Sequence, residues 1–499
     1  MTGLPTGWAV TTVGQVTQRV DTVDPKRQPA SSFTYVDISS IDSSNQTIVS
    51  PKFLSGHEAP SRARGSGSVR QLLREGDTVF STVRTYLRNI GYVDSGLDGS
   101  VGSTGFSVLR GADGIDPRYL YYHSRTNTFV DGLSAVMRGT SYPAVVNSQV
   151  REMPIPIAPK AEQERIVAAI EEQFSRLDAG VAALERLRHN LKRMRGAVLQ
   201  AALTGCLIKQ DPSDGDADTL ISEALDARAE HVGPTARSRS APSAFARNGL
   251  PPIPASWRWT SLDSLAEIVG GITKDAKKQA SADLVEVPYL RVANVQRGHL
   301  NLEHLATIKT TTDQIRSLSL QCGDVLFNEG GDRDKLGRGW VWEGQIDPCI
   351  HQNHVFRARL YAPMLDPRWV SWHGNTFGQQ WFNDGGKQTT NLASLSKTTL
   401  RSFPVPVPPL QEQQRIVAAV EGQLSLIDAV EAMMRAAHQR ASSLRSSILA
   451  AAFSGSLVPQ DPDDERAAVL LERIAADRAS SGGRKATAGR ARRSTVTAA

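Results

Sequence analysis

No run of about 18 apolar residues occurs in the 499-residue chain, so no membrane span is expected. The opening Met1–Trp8 lacks a basic region followed by an apolar stretch, so no signal peptide is expected either. Cysteine is scarce: Cys206, Cys322 and Cys349 are an odd set without framework spacing, which excludes a disulfide scaffold and fits a reducing cytoplasm. Nucleotide motifs are missing as well. There is no GxxxxGK[ST] cradle for ATP, no glycine fingerprint for S-adenosylmethionine and no Asn/Asp-Pro-Pro-Tyr motif of amino-methyltransferases. Gly65-Ser66-Gly67-Ser68 is a lone glycine pair without strand–helix context and reads as a loop. What remains is an ordinary globular balance, 40% hydrophobic and 22% charged, long enough for two to four domains. The net charge of +6 is compatible with nucleic acid without being diagnostic of it.

The chain is written twice. Leu4-Pro5-Thr6-Gly7-Trp8 returns as Ile253-Pro254-Ala255-Ser256-Trp257, and Gly76-Asp77-Thr78-Val79-Phe80 as Gly323-Asp324-Val325-Leu326-Phe327. Asp116-Pro117-Arg118-Tyr119 matches Asp366-Pro367-Arg368-Trp369. The segment from Pro154 through Glu162, Gln163 and Arg165 to Ala169 matches Pro404 through Glu412, Gln413 and Arg415 to Ala419. Leu203-Thr204-Gly205 with Gln210-Asp211-Pro212 matches Phe453-Ser454-Gly455 with Gln460-Asp461-Pro462. Offsets stay between 247 and 250 and the order is kept. So long a period makes each copy a domain with its connector, the two related by a pseudo-two-fold axis.

In each copy, short apolar runs such as Thr78–Phe80, Gly105–Leu109 and Val355–Leu360 read as strands of a mixed sheet. The Asp-Pro-Arg segments place proline at the first turn of short helices. The proline-alternating Pro154–Pro159 is an extended exit. A long helix follows, with Glu162 and Glu164, or Glu412, in its first turn. From Ala161 to about Leu203 there is no proline, and Ile166, Ile170, Phe174, Leu177, Val181, Leu184, Leu191, Met194 and Val198 form a coiled-coil-like stripe. The second copy supplies Ile416, Val420, Leu424, Ile427, Met434, Leu444 and Ile448. Such helices would be about 60 Å long, and Gly205 and Gly455 stand where a C′ glycine would stop them. Too long to bury on their own domains, they are expected to pair antiparallel. The pairing residues are Ile166, Ile170, Leu177, Leu184, Leu191, Ile416, Val420, Leu424, Ile427 and Met434.

The expected class is therefore α+β: two similar mixed α/β domains separated by two long antiparallel coiled-coil helices. The boundaries are 1–158, first domain; 159–210, central long helix; 211–250, a linker with a short helix around Leu220–Arg228; 251–408, second domain; 409–460, distal long helix; and 461–499, a short helix and a basic tail, disordered after about Ser480. Cys349, His351 and His354 offer three ligand types for zinc but no fourth, and their counterparts Gly99, Val101 and Thr104 cannot ligate, so no metal is expected. His123 and His373 recur in both copies and read as buried, satisfied histidines at helix starts. No catalytic residue is assigned.

The doubled plan, with Gly-Asp-x-Leu/Val-Phe in each domain and Pro409-Leu410-Gln411-Glu412-Gln413-Gln414-Arg415-Ile416-Val417 opening the distal helix, resembles the specificity subunits of Type I restriction–modification enzymes. The first copy departs from it with Lys160-Ala161 at the junction. The resemblance covers nearly the whole chain. It implies that each globular domain is a target-recognition domain reading one half of a split double-stranded DNA target. It further implies that the paired helices set the gap and dock two methyltransferase subunits, and that translocase/nuclease restriction subunits join them. S-adenosylmethionine, ATP and Mg would sit on those partners, with none in this chain.

Two readers on a stiff rod can measure half-sites about one helical turn (~34–36 Å) apart. Base-edge and phosphate contacts are expected from loops between strands. In the first copy these are Arg84, Tyr86, Arg88, Arg138, Thr140, Ser141 and Tyr142. In the second they are Arg333, Lys335, Arg338, Lys387, Gln388, Thr389, Thr390 and Asn391. Loops Gly139–Val145 and Gly386–Leu392 occupy matched places with different side chains, as two different half-sites require. A pure assembly scaffold explains the helices but not the diverged polar loops, and a stand-alone DNA-modifying enzyme is opposed by the missing motifs. Charged residues at Leu184 and Met434 are expected to break the helix pairing. The check is loss of subunit binding and of a fixed half-site gap, and retention of both would refute the spacer.

Overall fold

The computed structural model describes residues 3–27, 30–58, 70–232, 241–245, 249–274, 284–331, 335–385, 387–388 and 393–494. The Gly65–Ser68 loop lies outside them. By compactness the chain divides into one unit of Met1–Glu185 with Met434–Ala499 and another of Arg186–Met433. This packing cuts each long helix near its middle, where the sequence had placed boundaries at the helix ends.

Each unit contains one globular body that opens and closes on a two-stranded antiparallel ribbon. Ala9–Thr12 pairs with Pro154–Ile157 in the first body, and Arg258–Ser261 with Pro404–Val407 in the second. The alternating prolines are thus strand residues that bring chain start and chain exit together. In the first body a five-stranded mixed sheet runs in the order Thr22–Val23, Arg70–Leu72, Val101–Gly102, Ser32–Val36, Lys52–Ser55. Beside it, Thr78–Ser81 is the middle strand between Phe106–Leu109 and Ile90–Tyr92. In the second body Val355–Leu360 lies between Ala266–Gly270 and Val325–Asn328, and Val285–Leu290 between Ala306–Thr310 and Ile350–His351. Asp116 caps its helix by accepting from the Arg118 and Tyr119 amides at 2.8 and 3.1 Å, with proline at the first position. The matching helix Pro367–Gly385 is 19 residues long, not short as expected. It runs on through Thr376, the counterpart of Thr126, whereas Thr126 ends one helix of the first body and caps the next.

The long helices are Lys160–Leu203 and Leu410–Ser454. In the first unit, Ile166, Ile170 and Phe174 join a core with Leu449, Ala452 and Phe453, and Asp178 pairs with Arg445. In the second unit, Val198, Ala202 and Leu203 share a core with Ile416, Val417 and Val420, and Asp428 pairs with Arg195. Both junctions are antiparallel. Ile166, Ile170, Ile416 and Val420 therefore also bury themselves in the bodies and anchor the helices to them. Ile427, Leu191 and Met434 are buried, whereas Leu177, Leu184 and Leu424 are half-buried. Met194 and Leu444 of the proposed stripe point outward, at 48% and 50% exposure. A three-residue step leaves Met194 about 60° off the line of Leu191, and Arg195 takes the seam edge instead.

The helix ends explain the repeated motifs. Cys206 and Gly205 amides donate to Ala201 and Ala202 at 2.8 and 3.2 Å, and Ser456 and Gly455 to Ala451 and Ala452 at 2.9 and 3.3 Å. This is a Schellman stop with the glycine at φ +73° or +77°. A Cβ on Gly205 would lie 2.3 Å from Pro254, and one on Gly455 would lie 2.2 Å from Pro5. Each helix thus ends against the Pro-x-x-Trp turn of the other copy. Arg165 then grips Asp464 with its two Nη atoms (2.7 Å at the shorter contact), and Arg415 grips Asp214 in the same way.

Two expectations need correction. The 211–250 segment is more than a linker: its helix Asp218–Val232 buries Leu220 and Ala224 in the core of the second body. The C-terminal helix runs Ala467–Ser494, past the point where disorder was expected, and seats Leu470 and Ile474 in the first body. Its alanines and arginines have high helix propensity despite the missing apolar face.

Gly205→Ala and Gly455→Ala should each lower stability by about 1 kcal/mol or more, through left-handed strain and the proline clash. Gly180→Ala, at a helical site with nothing within 4 Å, should raise it by up to about 1 kcal/mol. Denaturation midpoints of the full chain check both signs.

Candidate nucleic-acid interface

The Gly-Asp motif is framework. Gly76 and Gly323 turn the chain at φ +88° and +92°. Buried Asp77 then accepts from the Arg74 amide and from Arg110 Nε and Nη2, each at 2.8 Å. Asp324 does the same with the Gln321 amide and Arg359, at 2.7 Å. Phe80 and Phe327 enter the cores. The strand that follows the motif in each body is thereby locked, and this lock fixes where the residues that leave it start.

Those residues meet a hairpin in both bodies. In the first, Val83 bridges Ala144 and Arg138 bridges Ala144, while Val145 donates to Thr82 at 2.9 Å and Arg84 to Pro143 at 2.8 Å. In the second, Gly330–Gly331, Ala393–Ser394 and Lys387–Gln388 form a three-stranded ribbon, with Lys387 opposite Ser394 and Gln388 opposite Ala393. The two bodies thus build one ribbon twice, with Arg138–Tyr142 on it in the first and Lys387 and Gln388 on it in the second.

The first body shows the side chains. Arg84, at φ +48°, donates to the Ser141 carbonyl at 3.2 Å, and its guanidinium lies 5.5 Å from the Tyr142 ring centroid. Arg88, at φ +54°, ends the Thr85–Leu87 turn. Two non-glycine residues in the left-handed region cost about 1–3 kcal/mol each and make this a preset loop. Tyr86 and Tyr142 are 52% and 76% exposed, and Arg138, Thr140 and Ser141 are exposed beside them. The Arg88 guanidinium is engaged by the Arg125 carbonyl (3.1 Å) and Asn127 Oδ1 (2.6 Å), so it braces the loop. Sequence reasoning passed over Leu87, 46% exposed at the same turn, because an apolar residue in a polar loop carries no pattern.

In the second body Lys335 and Arg338 are half-buried, and Arg338 Nη2 lies 3.5 Å from the Val292 carbonyl. Lys387 and Gln388 are placed by backbone register. Arg333, Thr389, Thr390 and Asn391 lie outside the described residues. The Cys349 group is drawn apart: Cys349 is buried, His351 Nδ1 faces the Val355 carbonyl at 2.7 Å, and His354 Nδ1 faces Glu329 at 2.7 Å.

A framework repeated twice under diverged loop tips, on bodies joined by two long helices, defines a doubled target-recognition protein. The family profile described as "Type I restriction modification DNA specificity domain" matches residues 376–428. The EcoBI specificity subunit of Escherichia coli is 28% identical over 71% of each chain. The StySPI specificity subunit of Salmonella potsdam is 26% identical over 76% of this chain and 75% of its own. A solved structure described as "Structural basis underlying complex assembly and conformational transition of the type I R-M system" aligns at TM-score 0.63 and 27% identity, covering 91% of this chain and 99% of its own. Over most of its length the chain is similar to the specificity subunits of Type I restriction enzymes.

The recurrent histidines are framework too. His123 stands in the last turn of its helix, not at a start, between the rings of Phe129 and Phe453. His373 Nε2 meets the Pro404 carbonyl at 2.8 Å, while both Nδ1 atoms lack a partner among the described residues. Burial pushes His123 down to about 3; burial likewise takes His373 down to about 4, against the pull of Pro404. Both are neutral when folded, so their contribution is full above the unfolded value near 6.5 and is lost as pH falls toward 4 for His373 and toward 3 for His123. Stability should drop by about 1.4 kcal/mol per pH unit for each histidine across that window. His123→Phe should flatten the drop in pH-dependent denaturation.

Proposed function

We propose that this chain is the non-catalytic specificity subunit that reads a bipartite, non-palindromic double-stranded DNA target, one half-site per body. The observation that carries the reading is the twice-built ribbon whose frame is kept while its sequence differs: it carries Arg138–Tyr142 in one body and Lys387-Gln388 in the other, the latter followed in sequence by Thr389-Thr390-Asn391. Arginine, lysine, glutamine and asparagine can address base edges, and exposed tyrosines can pack on bases or sugars. Arg84, Tyr86, Arg138, Thr140, Ser141 and Tyr142 serve the first half-site. Arg333, Lys335, Arg338 and Lys387 through Asn391 serve the second, with Arg88 as a brace.

The long helices hold the half-site gap and dock two methyltransferase subunits. The exposed pairs Leu187/Met194 and Leu426/Met433, each seven residues apart on these helices, support a partner there, since apolar side chains at heptad spacing gain from being covered. Restriction subunits with translocase and nuclease activity complete the assembly, and S-adenosylmethionine, ATP and Mg belong to the partners. No helix of the described residues is long and apolar enough to cross a membrane, in keeping with cytoplasmic work.

The test is methylation mapping in cells that express this chain with its neighbouring methyltransferase. A split motif with a fixed gap, absent without the chain, is the expected outcome. Methylation that is missing or independent of the chain would favour a scaffold. Arg138→Ala should relax one half-site only, at about 1–3 kcal/mol per lost bidentate base contact, and Lys387→Ala only the other.

A further inference from the structure

The bodies differ at one buried charge, and the second shows what the first lacks. There, Arg228 of the connector helix and Arg401 of the short helix Lys397–Arg401 converge on Asp263. Arg228 Nε donates to the Asp263 carbonyl at 3.0 Å, and its Nη2 lies 3.4 Å from the carboxylate. Arg401 Nε and Nη2 hold the same carboxylate at 2.7 and 3.0 Å, and the Ser243 amide adds a bond at 3.1 Å. Burial raises the Asp263 carboxyl, but these bonds and the charges of Arg401 and Arg228 outweigh it and keep it below its ordinary range. One carboxylate thus lies between two guanidiniums and pairs with both.

The first body repeats the frame without the acid. Arg478 stands where Arg228 does, Arg151 where Arg401 does, and Gly14 where Asp263 does. The backbone agrees: Val13 donates to Met153 at 2.9 Å, as Leu262 donates to Phe403 at 2.8 Å. Arg151 Nη2 and Arg478 Nη2 both donate to the Gly14 carbonyl, at 3.0 and 2.9 Å, and Arg478 also reaches the Thr17 carbonyl. Neither guanidinium has a carboxylate within ion-pair distance among the described residues, although Glu152 and Asp477 are their chain neighbours. Burial and the facing charge of Arg151 push Arg478 below its usual value. Two like charges sharing one carbonyl oxygen are unfavourable unless an anion joins them.

We propose that Arg151 and Arg478 form an oxyanion clamp, specific to the first body, that takes a backbone phosphate of the bound DNA; this rests on the DNA-reading function above. Two guanidiniums suit the two non-bridging oxygens of a phosphate. Arg151 lies on the helix Asn147–Glu152, immediately after the hairpin that carries Arg138–Tyr142. Beyond Asp477 the chain holds Arg484, Lys485, Arg490, Arg492 and Arg493 and no acidic residue, a field that favours DNA over an acidic protein surface. The second body, closed by its own Asp263, makes no such contact, so the two half-sites are gripped unequally.

The test is DNA affinity of the full chain with its methyltransferase partner, measured against salt on duplexes with and without the mapped target. Arg151→Gln/Arg478→Gln should reduce the slope of log affinity on log salt by about 1 and weaken both duplexes by the same factor. Arg478→Lys should restore most of the slope. Arg478→Gln alone, at an exposed side chain, supplies the comparison if the double variant does not fold. An unchanged slope overturns the clamp, and an unchanged slope with weaker methyltransferase binding assigns the arginine pair to a protein carboxylate instead. Failure of the underlying reading shows separately, as a wild type that does not prefer its target, because a phosphate contact alters the slope on any sequence.

Discussion

Everything in this molecule depends on how each long helix ends. A C′ glycine at positive φ lies under a proline, and an arginine from the start of the other long helix grips an aspartate just beyond the stop. Beside this seat in the first body, Trp8 Nε1 donates to Glu162 at 3.0 Å and Gln163 accepts from the Asp116 amide at 3.0 Å. One string present in both copies, Glu-Gln-x-Arg, thus ties together the ribbon of its own body, the Asp-Pro-Arg helix and the return of the other copy. Without that seat, a helix of more than forty residues would have neither a fixed start nor a fixed end on its bodies.

Rigidity at the seat allows variability at the ribbon. The Gly-Asp strand is held by buried carboxylate–arginine pairs, so the hairpin that docks on it can change its tip without changing its place. The first body adds strain to this order, with Arg84 and Arg88 framing a preset turn and Arg88 bracing it from behind. A protein that must read different sequences with one architecture benefits from this separation of frame and tip. The recurrent histidines belong to the frame: burial keeps them neutral and surrounded by rings.

The sequence revealed much of this because its signals were periodic or duplicated. The repeat located both bodies, the proline alternation located both closing strands, and the glycines located both helix stops. It was less informative where a residue's role depends on what lies opposite. Met194 and Leu444 fit a three–four stripe yet face outward, because a straight helix drifts off the seam. Arg88 and Arg338 look like loop arginines, but backbone carbonyls face them. Leu220 and Leu470 are spaced like any short amphipathic helix, and only folding showed that each caps a core.

By itself the sequence determined the doubled plan, the two long helices, the class of fold and the family resemblance, because repetition, periodicity and turn chemistry are local and survive in one dimension. Tertiary structure alone decided which copy each helix end meets, which arginines are braced and which are open, and where one carboxylate is replaced by a glycine. Those are pairings between residues hundreds of positions apart, such as Arg165 with Asp464 and Arg478 with Gly14. No pattern along the chain records such a pair; it exists only once folding has brought the two partners within hydrogen-bonding reach.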